Sequence, residues 1–206
     1  MSKIESKLRG AARRSVHATA AEAAGRLAAR AAEAHLIDVA YTFVDTPFGR
    51  FLAASTLRGL VRLAFHPEPV DEVLSDLARR VSPRVLEAPR ELDEVRRELD
   101  EYFDGRRHEF ELRLDWRLTH GFSERVLRAT ARIPYGGVST YRDVAARAGN
   151  PRAMRAAGNA LGSNPLPIVV PCHRVVRTGG DVGNYGGGPE MKRALLLLEG
   201  ALPEGD

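Results

Sequence analysis

Apolar and polar residues alternate along residues 40–66, where the chain reads AYTFVDTPFGRFLAASTLRGLVRLAFH. Alternation with a period of two is typical of half-buried β-strands. Turn signals at Thr46-Pro47 and Arg58-Gly59 divide the stretch into three parts. The pattern therefore predicts a three-stranded antiparallel meander.

Helical spacing of apolar residues follows over residues 69–81 and 89–103. The second stretch has a proline in its first turn and Gly105 just beyond its end, and both are common at helix boundaries. A short strand is predicted at HEFEL, residues 108–112. Together these elements predict an N-terminal α/β scaffold domain over residues 39–115.

Short helices are predicted from His120 onwards. The segment HGFSERVLRATARI has helical spacing and ends at the turn PYGG. Thr140 with Asp143 three residues later resembles a capping box, so a helix is expected from Tyr141 to Gly149. Asn150 can cap a following helix and Pro151 can occupy its first position.

Two helices joined by so short a turn predict a helix-turn-helix, with an ordinary helical hairpin as the alternative. On the second helix the polar residues fall on one face and the apolar residues on the other. The expected outer face is Arg152, Arg155 and Asn159, and the expected inner face is Met154, Ala157 and Leu161. An apolar inner face with a basic outer face is what a helix that enters a DNA groove needs.

Composition and charge narrow the class of protein. The chain has 206 residues and a single cysteine, which excludes an internal disulfide and any multi-cysteine metal site. No apolar run is long enough to cross a membrane. Residues 1–38 are basic and alanine-rich without the pattern of a secretory signal, and we interpret them as an appended helix or a partly disordered arm. A lone thiol fits a reducing compartment.

Positive charge is concentrated in one part of the chain. Between Tyr141 and Arg177 six arginines stand against one acid, Asp143. A local positive field attracts polyanions such as nucleic acid, although most charged runs are solvated surface.

The single cysteine lies in NPLPIVVPCHRVV, residues 164–176. Cys172 is either a small buried apolar residue or a nucleophile, since His173 and Arg174 offer the base and the positive charge that a thiolate needs. Adjacent side chains on a strand point to opposite faces. Proton transfer to His173 therefore requires a chain turn, which Pro171 favours by ending the PIVV strand, or a relaying water.

A carboxylate that orients the histidine would complete the site. The downstream candidates are Asp181, Glu190 and Glu199, and we favour Glu199 because its negative charge opposes the dipole at the end of its helix. The glycine-rich segment GNYGGG, residues 183–188, is either a flexible turn or a loop whose backbone approaches a ligand.

Taken together, the segments IPYG, STY, AGNPRAMRAAGNALGSNPLPIVVPCHRVV, GNYGGG and LLLLEG resemble the methylated-DNA–protein-cysteine methyltransferases, also called O6-alkylguanine-DNA alkyltransferases. The resemblance is strong over residues 120–200, weaker over 39–114, where TPFGRFLAA matches, and absent over 1–38. It implies an α+β protein with a small ribonuclease-H-like N-terminal domain. A mostly helical C-terminal domain over residues 120–206 would bind DNA and accept the alkyl group.

The resemblance assigns roles at the reacting centre. Cys172 would accept the alkyl group, activated by His173 through a water, and Glu199 would orient His173. Asn164 would brace the turn that carries Cys172. Tyr141 would donate a proton or hydrogen bond to the departing guanine.

The resemblance also implies a DNA surface and a base pocket. Arg155 would enter the base stack, with Arg152, Asn159, Thr140 and Tyr141 as further DNA-binding residues. The carbonyl groups of Cys172 and Val175 would accept from the guanine amine. The remaining pocket residues would be Pro167, Gly183, Tyr185 and Gly186. Gly186, where the family often has serine, would donate its backbone N–H to O6.

The implied function is DNA repair in a single turnover. The protein would flip O6-alkylguanine out of duplex DNA and transfer the alkyl group irreversibly to Cys172, with O4-alkylthymine as a further candidate substrate. The resemblance implies no cofactor, no metal and no membrane partner, and it implies a monomer in the cytoplasm. Two alternatives remain: a non-catalytic sensor of alkylated bases, and a cysteine hydrolase, which would leave the basic helix pair unexplained.

Overall fold

The computed structural model describes residues 36–65, 68–179 and 181–202, together with positions 23, 25, 26 and 30. Most of the predicted N-terminal arm, residues 1–38, lies outside the described residues.

The first part of the chain forms a four-stranded sheet in the order β3-β2-β1-β4. Its strands are β1 (Val39–Thr46), β2 (Gly49–Thr56), β3 (Gly59–Ala64) and β4 (Val85–Glu87). The predicted antiparallel meander of β1, β2 and β3 is confirmed. The sequence did not indicate β4, which pairs in parallel with β1 and makes the sheet mixed.

Helices cover the two faces of this sheet. Helix α1 (Val70–Arg80) packs Val73 and Leu77 against one face. Helix α2 (Asp93–Phe103), preceded by a 3-10 turn at Pro89–Leu92, packs on the other. Alternation along each strand produces this division, because successive side chains point to opposite faces.

The strand predicted at residues 108–112 is wrong. This segment joins no ladder, and the nearest pairing is an isolated bridge between Leu60 and Leu114. The backbone N–H of Glu111 instead donates to Glu98 Oε2 at 3.0 Å. A buried carboxylate therefore takes the hydrogen bond that a neighbouring strand would otherwise accept.

The second part of the chain is mostly helical, as expected. It contains α3 (Gly121–Thr130), α4 (Tyr141–Arg147), α5 (Met154–Gly162) and α6 (Gly188–Leu198). Two short parallel strands, β5 (Ser139–Thr140) and β6 (Val175–Val176), tie the start of α4 to the segment after Cys172. Within the described ranges no helix has the length and apolar character needed to span a membrane.

The predicted capping box at the start of α4 is confirmed. Thr140 Oγ1 accepts from the backbone N–H of Asp143 at 3.2 Å, and Asp143 Oδ2 accepts from the Thr140 N–H at 3.4 Å. That α4 and α5 act together as a helix-turn-helix stays a prediction.

Helix α5 begins later than predicted, and its inner face is smaller. Asn150 accepts the Arg152 N–H on its side chain at 3.2 Å and the Ala153 N–H on its carbonyl at 3.1 Å, which closes a turn before the helix starts. Ala157 and Leu161 are buried as expected. Met154 was expected to be buried as well, but it stands at the first position of α5 and is 41% exposed.

The two parts of the chain share one hydrophobic core. Residues of the sheet and of α2 pack in the same buried cluster as residues of α3 to α6. The backbone N–H of Leu63, in β3, donates to the carbonyl of Pro165 at 2.8 Å. The sheet edge is thereby fixed to the segment that leads to Cys172.

Candidate active site around Cys172

The PIVV segment before the cysteine is a tight turn, and the strand predicted there is wrong. Pro167 and Val170 form an isolated bridge, and the Val170 N–H donates to the Leu166 carbonyl at 2.8 Å. Ile168, fully buried, has φ of 71°, a costly conformation for a β-branched residue. The PIVV segment is continuously apolar because it is buried, and not because it pairs with a neighbouring strand.

Asn164, expected from the resemblance to brace this turn, hydrogen-bonds to both its ends. Its Nδ2 donates to the Val170 carbonyl at 2.9 Å and to Cys172 Sγ at 3.1 Å. Its Oδ1 accepts the Leu166 N–H at 3.0 Å. One amide therefore joins the strained turn to the sulfur.

Cys172 begins a 3-10 turn, Cys172–Arg174, directly after Pro171. The chain therefore turns where the sequence argument required it to turn. The side chain of Cys172 is 7% exposed and forms part of a cavity wall.

Several predicted residues meet in this cavity. Its wall is formed by Tyr141, Arg155, Gly158, Asn159, Leu161, Gly162, Cys172, Arg177, Asn184, Tyr185 and Gly186. Tyr141, Arg155, Asn159, Tyr185 and Gly186 were predicted from the sequence. Arg177 was noted only for its charge, and Gly158, Leu161, Gly162 and Asn184 were not assigned to the pocket.

Other predicted residues lie outside the cavity wall. Thr140 and Arg152 precede the helices they belong to, and Pro167 is part of the turn braced by Asn164. Gly183 lies behind Tyr141, and a Cβ there would stand 3.5 Å from Tyr141 Oη. The Val175 carbonyl, expected to face the guanine amine, accepts from the buried Lys192 Nζ at 2.6 Å.

The Cys172 thiol is not ionised at neutral pH in this structure. Burial raises its pKa to about 11, against the Asn164 hydrogen bond and the positive charge of Lys192, which both favour the thiolate. The thiolate that the sequence argument called for is therefore the minor form of Cys172 at neutral pH.

His173 follows Cys172 in the same 3-10 turn. It is fully buried, and burial lowers its pKa although the neighbouring carboxylate opposes this. Its Nε2 lies 2.9 Å from Glu199 Oε1. Its Nδ1 is buried and has no hydrogen-bond partner among the described residues.

Glu199 is ionised although it is only 4% exposed. Burial alone would raise the pKa of this carboxyl, but hydrogen bonds from His173 and Arg174 outweigh burial and lower it to about 2. A carboxylate only accepts hydrogen bonds, so His173 Nε2 carries the proton. The lone pair of the histidine is therefore on Nδ1.

Two further groups hold Glu199, and sequence reasoning gave neither of them this role. Arg174 donates from Nε to Oε2 at 2.8 Å and from a terminal nitrogen to Oε1 at 2.9 Å. Tyr102 Oη, from α2, donates to Oε1 at 2.7 Å. Arg174 carried a sequence signal, its place directly after His173, whereas Tyr102 is 97 residues from Glu199 and carried none.

The fold and the site define a class of protein: a two-part α+β chain with a single thiol in the wall of a cavity. An asparagine donates a hydrogen bond to this thiol, and the next residue is a histidine paired with a carboxylate. A helix that carries an arginine borders the same cavity. Two family models match the chain. One, described as 6-O-methylguanine DNA methyltransferase, DNA binding domain, matches residues 121–201. The other, the ribonuclease-like domain of the same methyltransferase, matches residues 39–116. The chain belongs to the 6-O-methylguanine DNA methyltransferase family.

Curated relatives carry the same description. The inducible methylated-DNA–protein-cysteine methyltransferase of Bacillus subtilis is 38% identical over 150 residues, which cover 72% of this chain and 83% of the relative. The Methanosarcina barkeri methylated-DNA–protein-cysteine methyltransferase is 35% identical over 160 residues, covering 77% of this chain and 96% of the relative.

Solved structures are similar over most of the chain. The Mycobacterium tuberculosis O6-methylguanine methyltransferase has a TM-score of 0.68 and 34% identity, covering 82% of this chain and 96% of that one. The M. tuberculosis protein solved in complex with DNA has a TM-score of 0.67 and 35% identity, covering 79% and 93%. The fold expected from the resemblance is confirmed.

Proposed function

We propose that this protein repairs alkylated DNA by moving the alkyl group of O6-alkylguanine onto its own Cys172. One observation carries the proposal: the Cys172 side chain shares a cavity with Tyr141 and with Arg155 of α5. The next residue, His173, is buried and paired with the carboxylate of Glu199. Membership of the family supplies the substrate class.

The first step is removal of the thiol proton. His173 Nδ1 is its acceptor, directly or through a water, and Glu199 stabilises the imidazolium that forms because it already accepts from Nε2. This step is needed because burial raises the pKa of the thiol to about 11. The thiolate then attacks the alkyl carbon.

The second step is departure of guanine. The S–C bond forms while the bond between the alkyl carbon and O6 breaks, and the electron pair remains on the guanine. Burial raises the pKa of Tyr141, so its hydroxyl is neutral and able to donate to the leaving base. Since a thioether is stable and no described residue is placed to cleave it, each molecule reacts once.

The DNA surface belongs to the same proposal. A base in a duplex must leave the stack before a buried sulfur can reach it, and a poorly paired alkylated base costs less to extrude. Arg155 is exposed on α5 and borders the cavity, so it can occupy the gap left by the extruded base. The relative solved in complex with DNA supports DNA as the partner.

Other parts of the proposal rest on the resemblance alone. These are the acceptance of O4-alkylthymine, a monomeric state, a cytoplasmic location, and the roles of Thr140, Gly183, Pro167 and Val175. The DNA-binding roles of Arg152 and Asn159 rest in addition on their shared predicted polar face, and Asn159 borders the cavity. The Val175 carbonyl can take a second donor, because a carbonyl oxygen has two lone pairs.

Transfer of a label tests the proposal. Duplex DNA with radiolabelled O6-methylguanine is incubated with the protein, and the label on protein is counted. We expect about one label per chain for the natural sequence and none for Cys172→Ala, with binding retained. Tight binding without transfer would identify a lesion sensor instead, and repeated turnover would exclude the one-shot mechanism.

A further inference from the structure

We propose that Tyr102, supplied by the N-terminal sheet domain, is a positioning residue that sets the proton affinity of His173 through Glu199. The inference deepens the proposed function and rests on it for its biological meaning. Tyr102 is fully buried, and its hydroxyl donates to Glu199 Oε1 at 2.7 Å. The same oxygen also accepts a hydrogen bond from His173 Nε2, at 2.9 Å.

Sharing one oxygen gives the phenol its influence. A donor to Oε1 withdraws negative charge from the atom that would stabilise a protonated His173. Arg174 also donates to Oε1, but through two nitrogens that bind both oxygens and fix the carboxylate in place. Tyr102 can therefore be removed while the carboxylate remains anchored.

Tyr102 is a neutral donor across the accessible pH range. Burial and the charge of Glu199 raise its pKa far above that of free tyrosine. Its ring also packs edge-on or tilted against Phe103, Phe110 and Tyr135, contacts that a phenylalanine would retain.

The other charged and titratable groups around the pair come from several elements. They are Arg174 and Tyr135 beside Glu199, and Lys192, Tyr141 and Tyr185 near Cys172. None of these groups except Arg174 hydrogen-bonds to the carboxylate of Glu199 among the described residues. A change confined to the Tyr102 hydroxyl therefore acts on the pair through Glu199.

The sign of the effect follows. Without the phenol hydroxyl, Oε1 has fewer donors, so it binds the N–H of His173 more strongly and the imidazolium becomes more favourable. Proton transfer from Cys172 to His173 stays within the protein, so a larger fraction of molecules then holds the thiolate–imidazolium pair. Tyr102 thus lowers the thiolate fraction of Cys172 in the DNA-free protein, which protects a sulfur that can be used only once.

The test is the pH dependence of alkylation of the full-length protein by iodoacetamide, followed by mass spectrometry. The thiolate displaces iodide, so the rate reports the ionisation of the only cysteine in the chain. For Tyr102→Phe we expect the rate profile to shift upward by about tenfold near neutral pH, where the internal proton transfer sets the thiolate fraction. Unfolding temperatures of both proteins establish that the variant is folded.

Tyr135→Phe is the matched control. Its hydroxyl donates at 2.9 Å to the backbone carbonyl of Leu198, next to Glu199, and not to the carboxylate. We expect its profile to match that of the natural protein. An unshifted profile for Tyr102→Phe, a downward shift, or an equal upward shift for Tyr135→Phe would overturn the inference.

A second pair of variants keeps the test decisive if Tyr102→Phe folds poorly. A fluorinated tyrosine placed at position 102 is a stronger donor and should shift the rate profile downward near neutral pH. In a Glu199→Gln background, either change at position 102 should leave the profile unshifted; a persistent shift would exclude action through Glu199.

Failure of this inference is distinct from failure of the proposed function. Iodoacetamide reports the thiol without any DNA or guanine. A shifted iodoacetamide profile in a protein that takes no label from alkylated DNA would retain the role of Tyr102 and reject the repair function. Label transfer from alkylated DNA together with an unshifted iodoacetamide profile would retain the repair function and reject the role of Tyr102.

Discussion

Glu199 shows how single residues set the chemistry of this site. It is a carboxylate enclosed by protein, and it stays ionised because His173 and Arg174 donate to it and lower its pKa. Tyr102 adds a third hydrogen bond. A buried charge is tolerated only when it is paired and hydrogen-bonded. The same bonds that allow the burial also determine which nitrogen of His173 carries the proton.

Acid should weaken the fold through Glu199. Its pKa is lowered in the folded protein from 4.5 to about 2, so its contribution to stability is fully present above about pH 4.5 and is lost as the pH falls toward 2. We expect the loss in the free energy of unfolding to be on the order of 3 kcal/mol, measured by urea unfolding across this range. Glu199→Gln should remove most of that pH dependence.

Glu190→Gln is the control for the acid experiment. Glu190 stands in the first turn of α6 and is exposed, so its amide should leave the pH dependence as it is in the natural protein. The interpretation fails if Glu190→Gln and Glu199→Gln flatten the profile equally.

Arg155→Ala should separate DNA binding from chemistry. The side chain borders the cavity but does not bond to Cys172, His173 or Glu199. We expect slower repair of duplex DNA, by roughly tenfold or more, with an unchanged rate toward free O6-benzylguanine, because only the duplex requires base extrusion. Single-turnover kinetics with both substrates provide the measurement.

Arg152→Ala is the matched control for Arg155. It also removes an exposed arginine near the start of α5, but this residue is not part of the cavity wall. It should weaken DNA binding through charge alone, with a smaller effect on transfer at saturating DNA. If Arg155→Ala slowed the reaction with duplex DNA and with free O6-benzylguanine equally, Arg155 would have a role other than base extrusion.

For single residues, the sequence predicted the part of the site that lies close together along the chain. It missed the contact that comes from a distant part of the chain. Cys172, His173 and Asn164 lie within ten residues, so one motif carries them. Glu199 was favoured on a helix-dipole argument and from the resemblance. Tyr102 reaches the site only through packing of the two parts of the chain, and no local pattern encodes that contact.

Among the elements, α4 has the clearest local origin. Its capping box satisfies backbone N–H groups that a helix start leaves unpaired. Thr140→Ala should lower the free energy of unfolding by about 1 kcal/mol, measured by denaturant titration.

Thr140→Ser is the control because it keeps the capping hydroxyl. It should retain most of the stability that Thr140→Ala loses. Equal destabilisation by both substitutions would mean that the methyl group of Thr140, and not the cap, provides the stability.

Elements were predicted well where periodicity was long and poorly where hydrogen bonds left the regular pattern. The meander and the helices have several turns or strands of consistent spacing. PIVV and HEFEL are short, and their backbone groups are taken by Asn164 and Glu98 in place of a sheet. Side chains that compete for backbone hydrogen bonds are invisible to a periodicity argument.

At the scale of the whole molecule, the described core is continuous across the two parts of the chain. Leu63 in the sheet bonds to Pro165, and Phe65 packs against Tyr185 with ring centroids 5.6 Å apart. Residues of the N-terminal sheet therefore contact the C-terminal segments that border Cys172. The sequence predicted two domains but not how closely they are joined.

This continuity predicts one cooperative unfolding transition. Thermal unfolding followed by far-UV circular dichroism and by fluorescence of Trp116, the only tryptophan, should give coincident curves. Phe65→Ala should lower the common midpoint without separating the two curves. Two resolved transitions would show that the parts unfold independently.

The presence of only one sulfhydryl in the chain makes each molecule a record of its own history. Under the proposed function, a colorimetric thiol reagent in denaturant would count the molecules that have not yet reacted, and the missing fraction would equal the lesions removed. A culture exposed to an alkylating agent could thus be assayed for its remaining repair capacity from the purified protein alone.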